Sequence, residues 1–190
     1  MARTIAIASG KGGTGKTTLA ANLGEIIDAI KEIRVERLAI LTNSSLLTDK
    51  DVRRDLLQID FVIAKLEVPS QEAFEKINKP GEGFELSKIV DAIKRFRTMY
   101  KGRLAIQSMF YKENKQYVEE LSNIVRAIGA DEVHIGTPIR PCSVKPLSKK
   151  EIEEIRLYFK GMKVVSVYDG SNKKAIPINR PATIRRRGRL

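Results

Sequence analysis

Thiols are almost absent from this chain: Cys142 stands alone among 190 residues. A single cysteine cannot close an internal disulfide. Its neighbours Pro141 and Ser143 leave both a free reactive thiol and an inert one open. Histidine is equally scarce. His134 is the sole example, and alone on a strand it reads as a structural residue rather than a metal ligand. Tryptophan is missing. No apolar run approaches the ~20 residues that a membrane-spanning helix needs. Glycine and lysine interrupt the N-terminal apolar stretch by Gly10, so no signal-peptide core is expected there. These absences point to a cytoplasmic protein without membrane contact.

Positive charge is abundant. Thirty-five Lys and Arg face 23 Asp and Glu, a formal net charge of +12. Such a field attracts polyanions, whether nucleotides, nucleic acid or anionic surfaces. The last residues are the most basic, with Arg180, Arg185, Arg186, Arg187 and Arg189 and no acid. Residues 171–190 therefore read as a basic tail, serving either solubility or RNA (tRNA) contact. Frequent Lys, Glu and Ile resemble the composition of thermophile proteins.

One stretch states a chemistry. Ser9-Gly10-Lys11-Gly12-Gly13-Thr14-Gly15-Lys16-Thr17-Thr18 follows the apolar run Thr4 to Ala8 and precedes an amphipathic pattern. Strand, glycine-rich turn and helix form the context of a phosphate-binding loop. Glycine lets the backbone curl and bring N–H groups to phosphate oxygens, and the helix N-terminus adds partial positive charge. In this reading Lys16 reaches the outer phosphates, Thr17 holds Mg²⁺, and the ligand is Mg·ATP. A glycine-rich turn with two solvated lysines is the plainer alternative.

Apolar runs and helical patterns alternate along the rest of the chain. Strands are expected to start near residues 4, 37, 60, 103, 132 and 163, with helices over about 16–34, 48–57, 71–77, 85–99, 118–128 and 148–160. Thr48 is the expected cap of the second helix and Ser148 of the last. The spacing of roughly thirty residues is that of a βαβ unit. The expected fold is α/β, with about six parallel strands alternating with helices. Residues 1–170 are expected to form one domain, before the tail. Ligands in such folds bind at the carboxyl ends of the strands. Those ends carry Asn43-Ser44, Lys65 to Glu67, Gln107-Ser108 and Thr137 to Arg140.

Lys-Gly-Gly-Thr-Gly-Lys-Thr-Thr, with its early Lys11, resembles the deviant Walker A loop of the MinD and ParA ATPases. That resemblance implies an ATP-dependent dimer, with Lys11 reaching the nucleotide of a partner subunit. It also implies strand-end aspartates for Mg²⁺ and for the attacking water. The second strand here ends in Thr42-Asn43-Ser44 and the fourth in Gln107. Glu67 is the one acid at a strand end until Asp169. Hydrolysis is therefore expected to be weak or absent.

From about Leu23 onward a second resemblance takes over. Leu41-Thr42-Asn43-Ser44-Ser45-Leu46-Leu47, Asp51-Val52-Arg53, Phe74 to Pro80 and Thr137-Pro138-Ile139-Arg140-Pro141 resemble the radical S-adenosylmethionine Fe–S oxidoreductases related to wyosine synthesis on tRNA. The resemblance implies a partial (β/α) barrel, favoured here over an open P-loop sheet. It also implies an S-adenosylmethionine pocket at Asn43, Lys65 and Glu67. These three are otherwise ordinary polar residues at strand ends. Arg140 matches the family's Arg-Pro motif. The family holds a [4Fe–4S] cluster with three cysteines, which a chain with only Cys142 cannot supply, so no cluster is expected. The sequence thus reads as a hybrid, a P-loop start over 1–22 on a radical-SAM-like body over 23–170. An engineered chimera, a recombined gene and a natural fusion all produce such a chain.

Overall fold

A computed structural model describes residues 5–7, 23–33, 37–139 and 144–170. Six apolar stretches within them form strands: β1 (Ile5–Ile7), β2 (Leu38–Thr42), β3 (Phe61–Lys65), β4 (Arg103–Met109), β5 (Glu132–Gly136) and β6 (Val164–Ser166). All pair in parallel, in the order β1-β2-β3-β4-β5-β6. Parallel neighbours need a crossover, and helices supply it. A doubly wound sheet reverses its strand order at a switch point. No reversal occurs here, so the order is that of a barrel segment. Among the described residues β1 and β6 do not pair with each other, and the sheet stays open.

The helices are α1 (Leu23–Ile33), α2 (Lys50–Leu56), α3 (Gln71–Ala73), α4 (Leu86–Met99), α5 (Val118–Ile128) and α6 (Lys149–Tyr158). The first two turns expected of α1, residues 16–22, lie outside the described residues. In α4, Leu86, Ile89, Val90, Ile93 and Phe96 repeat at three and four, and all are buried. They pack on Val62, Ala64, Leu104 and Ile106 of the sheet in one core that runs from Ile27 to Phe159. Each fully buried large apolar side chain contributes about 1.5–3 kcal/mol.

Caps explain the helix ends. The expected cap Ser148 accepts from the Glu151 N–H while Glu151 accepts from the Ser148 N–H, a reciprocal capping box. Gly129 ends α5 at φ 71°, where a Cβ would be strained. The expected cap Thr48 is displaced. A 3₁₀ turn over Ser45–Thr48 comes first, and the Thr48 hydroxyl donates back to the Ser45 carbonyl within it. Asp49 caps α2 instead, accepting from Asp51 and Val52 N–H. The short helix expected at 71–77 runs from α3 into a π turn over Phe74–Asn78.

Strand register decides which side chains share a face. Lys65, Gln107 and His134 are in register, as are Ile63, Ala105 and Glu132. These lie on the face away from the helices, the inner face of the barrel segment.

Candidate functional site

The carboxyl end of β3 is unusually well held. The carbonyls of Lys65, Leu66 and Glu67, at and just beyond that end, each accept a hydrogen bond from a polar side chain that is wholly buried. Ser44 Oγ donates to Lys65 O at 2.9 Å, Ser108 Oγ to Leu66 O at 2.6 Å, and Asn114 Nδ2 to Glu67 O at 3.4 Å. Asn114 also donates to Met109 O at 2.8 Å and accepts from Tyr111 N–H at 2.8 Å, tying the end of β4 to the same point. Ser44 adopts φ 70°, a left-handed conformation that costs a serine energy and that its two neighbours' bonds maintain. Its N–H donates to Thr42 Oγ1 at 3.1 Å, and Ser45 Oγ donates to Asn43 Oδ1 at 2.8 Å.

This bracing positions Asn43, Lys65 and Glu67 together. The three line one cavity of about 50 Å³ with Phe74 and Asn78. Lys65 Nζ lies 2.9 Å from Glu67 Oε1, and Asn78 Nδ2 donates to Glu67 Oε2 at 2.8 Å. Both carboxylate oxygens of Glu67 are therefore engaged. Burial pushes the nearby Tyr111 hydroxyl up in pKa, with Glu67 and Glu113 adding to it. Tyr111 stays a neutral donor at this rim. Among the described residues no group of three His, Cys, Asp or Glu is placed to hold a metal ion.

The other acid considered in sequence, Asp169, turns out to be a brace. Its Oδ2 accepts from Ser166 N–H at 2.8 Å and pairs with Arg156. These bonds, with the Ser166 N–H contributing most, hold its carboxyl below the usual range. Thr137 is also structural: its hydroxyl accepts from Leu147 N–H at 2.8 Å and ties Leu147 to the end of β5. His134 hydrogen-bonds Glu132 through Nε2 at 2.8 Å. Gly10, Lys11, Gly12, Gly13, Thr14, Gly15, Lys16, Thr17 and Thr18 lie outside the described residues, as do Arg140, Cys142 and the basic tail. Sequence reasoning placed Ser44 and Ser108 at this rim without their bracing role, and missed Asn114.

The described part of the loop's context is β1, which runs parallel beside β2 with Ile7 opposite Ile40. The chain therefore leaves β1 at the same rim. A family model, "CobQ/CobB/MinD/ParA nucleotide binding domain", matches residues 5–130, more than half of the chain. The chain belongs to this nucleotide-binding domain family. Within curated proteins it is 34% identical over 139 residues to a UPF0026 protein of Synechocystis sp., covering 73% of this chain and 51% of that protein. It is 29% identical over 165 residues to a UPF0026 protein of Methanocaldococcus jannaschii, covering 84% and 49%. The chain thus spans about half the length of these relatives.

Solved structures similar to this family member include a radical SAM methyltransferase from Sphaerobacter thermophilus, with TM-score 0.57 at 13% identity, covering 68% of this chain and 39% of that one. A domain of a pyruvate-formate lyase-activating enzyme from Bacteroides vulgatus superposes with TM-score 0.66 at 9% identity, covering 85% of this chain and 97% of that one. SuiB of Streptococcus suis, solved with S-adenosylmethionine, superposes with TM-score 0.61 at 14% identity, covering 86% and 39%. At such identities the likeness is one of fold, and it agrees with the consecutive strand order.

Proposed function

We propose that this chain binds a nucleoside triphosphate, Mg·ATP in particular, through Gly10 to Thr18 at the carboxyl rim of the open sheet, with hydrolysis weak or absent. The observation that carries the reading is the placement of β1. Its parallel pairing with β2 puts Ile7, the end of β1, toward the rim that also holds Asn43, Lys65 and Glu67. Backbone N–H groups of Gly12 to Lys16 would bind the β-phosphate, Lys16 the γ-phosphate, and Thr17 the accompanying Mg²⁺, which supplies charge neutralisation. Weak hydrolysis follows from the acids. Glu67 has both oxygens engaged by Lys65 and Asn78, and Asp169 is occupied by Ser166 and Arg156. Neither offers a free carboxylate for a metal or an attacking water. Lys11 belongs to a dimeric arrangement, and the basic tail to RNA contact. Equilibrium binding of a fluorescent ATP analogue tests the reading. Lys16→Ala should weaken it by at least about tenfold, the loss of one charge-assisted contact. Unchanged affinity would remove the loop from the account.

A second reading rests on the cavity at Asn43, Lys65 and Glu67 together with the radical-SAM-like fold. In it the rim retains S-adenosylmethionine without radical chemistry. With only Cys142 the chain does not fit a [4Fe–4S] cluster, whose iron needs several thiolates. Calorimetry with S-adenosylmethionine on wild type and Asn43→Ala separates the readings. Binding lost in the variant supports this one, and no heat in the wild type ends it.

A further inference from the structure

The inner face of the sheet carries a polar row that neither the core nor the rim bracing uses. Lys65, Gln107 and His134 occupy matching positions on β3, β4 and β5. With neighbouring strands about 4.8 Å apart, the row runs about 10 Å across the sheet. Layers inside parallel barrels are normally filled by branched apolar side chains. Packing does not require three long polar ones here.

The row is accessible. The side chains of Lys65 and His134 are 32% and 22% exposed, and Gln107 is half-buried. Gln107 is the informative member, because its side-chain amide has no hydrogen-bond partner among the described residues. Lys65 gives one of its three N–H donors to Glu67, leaving two. His134 gives Nε2 to Glu132. The charges around the row are Lys65, Arg103 and Lys163 against Glu67 and Glu132, three cations to two carboxylates. The balance is +1 with His134 left aside.

We propose that this row is an oxyanion site: it takes the phosphate or carboxylate group of a small ligand, with the Gln107 amide as donor, Lys65 as countercharge and His134 closing the far end. The site lies on the inner face and shares Lys65 with the Asn43–Glu67 cavity.

His134 is the one histidine of the chain, so its ring gives a single, unambiguous proton NMR signal. The experiment titrates the whole protein with inorganic phosphate, and separately with succinate, at one fixed pH against a potassium chloride control of equal ionic strength. The His134 signal is expected to move saturably with at least one oxyanion, and which one saturates names the source. Gln107→Leu should weaken that binding about tenfold. If Gln107→Leu fails to fold, Gln107→Glu, equal in shape but anionic, carries the same expectation. A shift that merely follows ionic strength in the wild type, or one that saturates equally in the folded variants, overturns the proposal.

Discussion

Three successive carbonyls, from the last residue of β3 to Glu67, are each fixed by one buried side chain, and this is where single residues count most. Asn114→Ala would leave Tyr111 N–H and Met109 O without their partner, each buried or half-buried. We expect a loss of about 2–3 kcal/mol in a urea titration and weaker ligand binding at the Lys65–Glu67 cavity. Ser44→Gly removes the left-handed strain but also the bond to Lys65 O, two effects of about 1 kcal/mol each and opposite sign. It should be nearly neutral, whereas Ser44→Val keeps the strain, loses the bond and destabilises by about 2–4 kcal/mol. Glu132 sets the acid response. Burial alone would raise its pKa, but hydrogen bonds from His134, Arg103 and Lys163 outweigh that and lower it below the ordinary 4.5. Its contribution is complete above about 4.5 and drains as pH falls through the folded value. Glu151, held down to about 2 by the Lys115 hydrogen bond and then by Ser148, behaves in the same sense over a wider range. Unfolding free energy should therefore decline with acid below about pH 5. The slope should be shallower in Glu132→Gln, and an identical slope would contradict the role given to Glu132.

At the scale of elements, α4 contributes most to the core. Phe96 is wholly buried and stacks on Tyr100 with ring centroids 4.6 Å apart. Tyr100 in turn donates to Ile59 O at 2.7 Å, joining the end of α4 to the chain that enters β3. Phe96→Ala should cost about 3–5 kcal/mol in thermal or chemical denaturation, and Ser148→Ala at the α6 cap about 1 kcal/mol. The stripe of α4, the cap of α6 and the end of α5 at Gly129 were legible because each is a local pattern. The cap of α2 was not: Thr48 and Asp49 are both good caps, and the 3₁₀ turn that uses up the Thr48 hydroxyl leaves the position to Asp49. Just beyond the assigned ends of β4 and β6, Phe110 N–H and Val167 N–H still bond the neighbouring strand. Asn43, Lys65 and Glu67 were legible as a group, since strand ends of a parallel sheet share one rim. The bracing by Ser108 and Asn114 was not, because their partners Leu66 and Glu67 lie 42 and 47 residues away in sequence.

For the molecule as a whole, the consecutive strand order and the nucleotide-binding family membership bear on the same rim from different directions. The barrel-segment order brings all six strand ends to one edge, with β1 at one side and the braced β3 near the middle. The net charge of +12 favours an anionic ligand anywhere on that edge. The most direct test of the central claim is a thermal-shift titration with Mg·ATP on wild type and Lys16→Ala. The account predicts stabilisation of the wild type by about 2.7 kcal/mol at a hundredfold excess over Kd, falling to about 1.4 kcal/mol or less in the variant at the same concentration. No stabilisation of the wild type, or equal stabilisation of both, would contradict it.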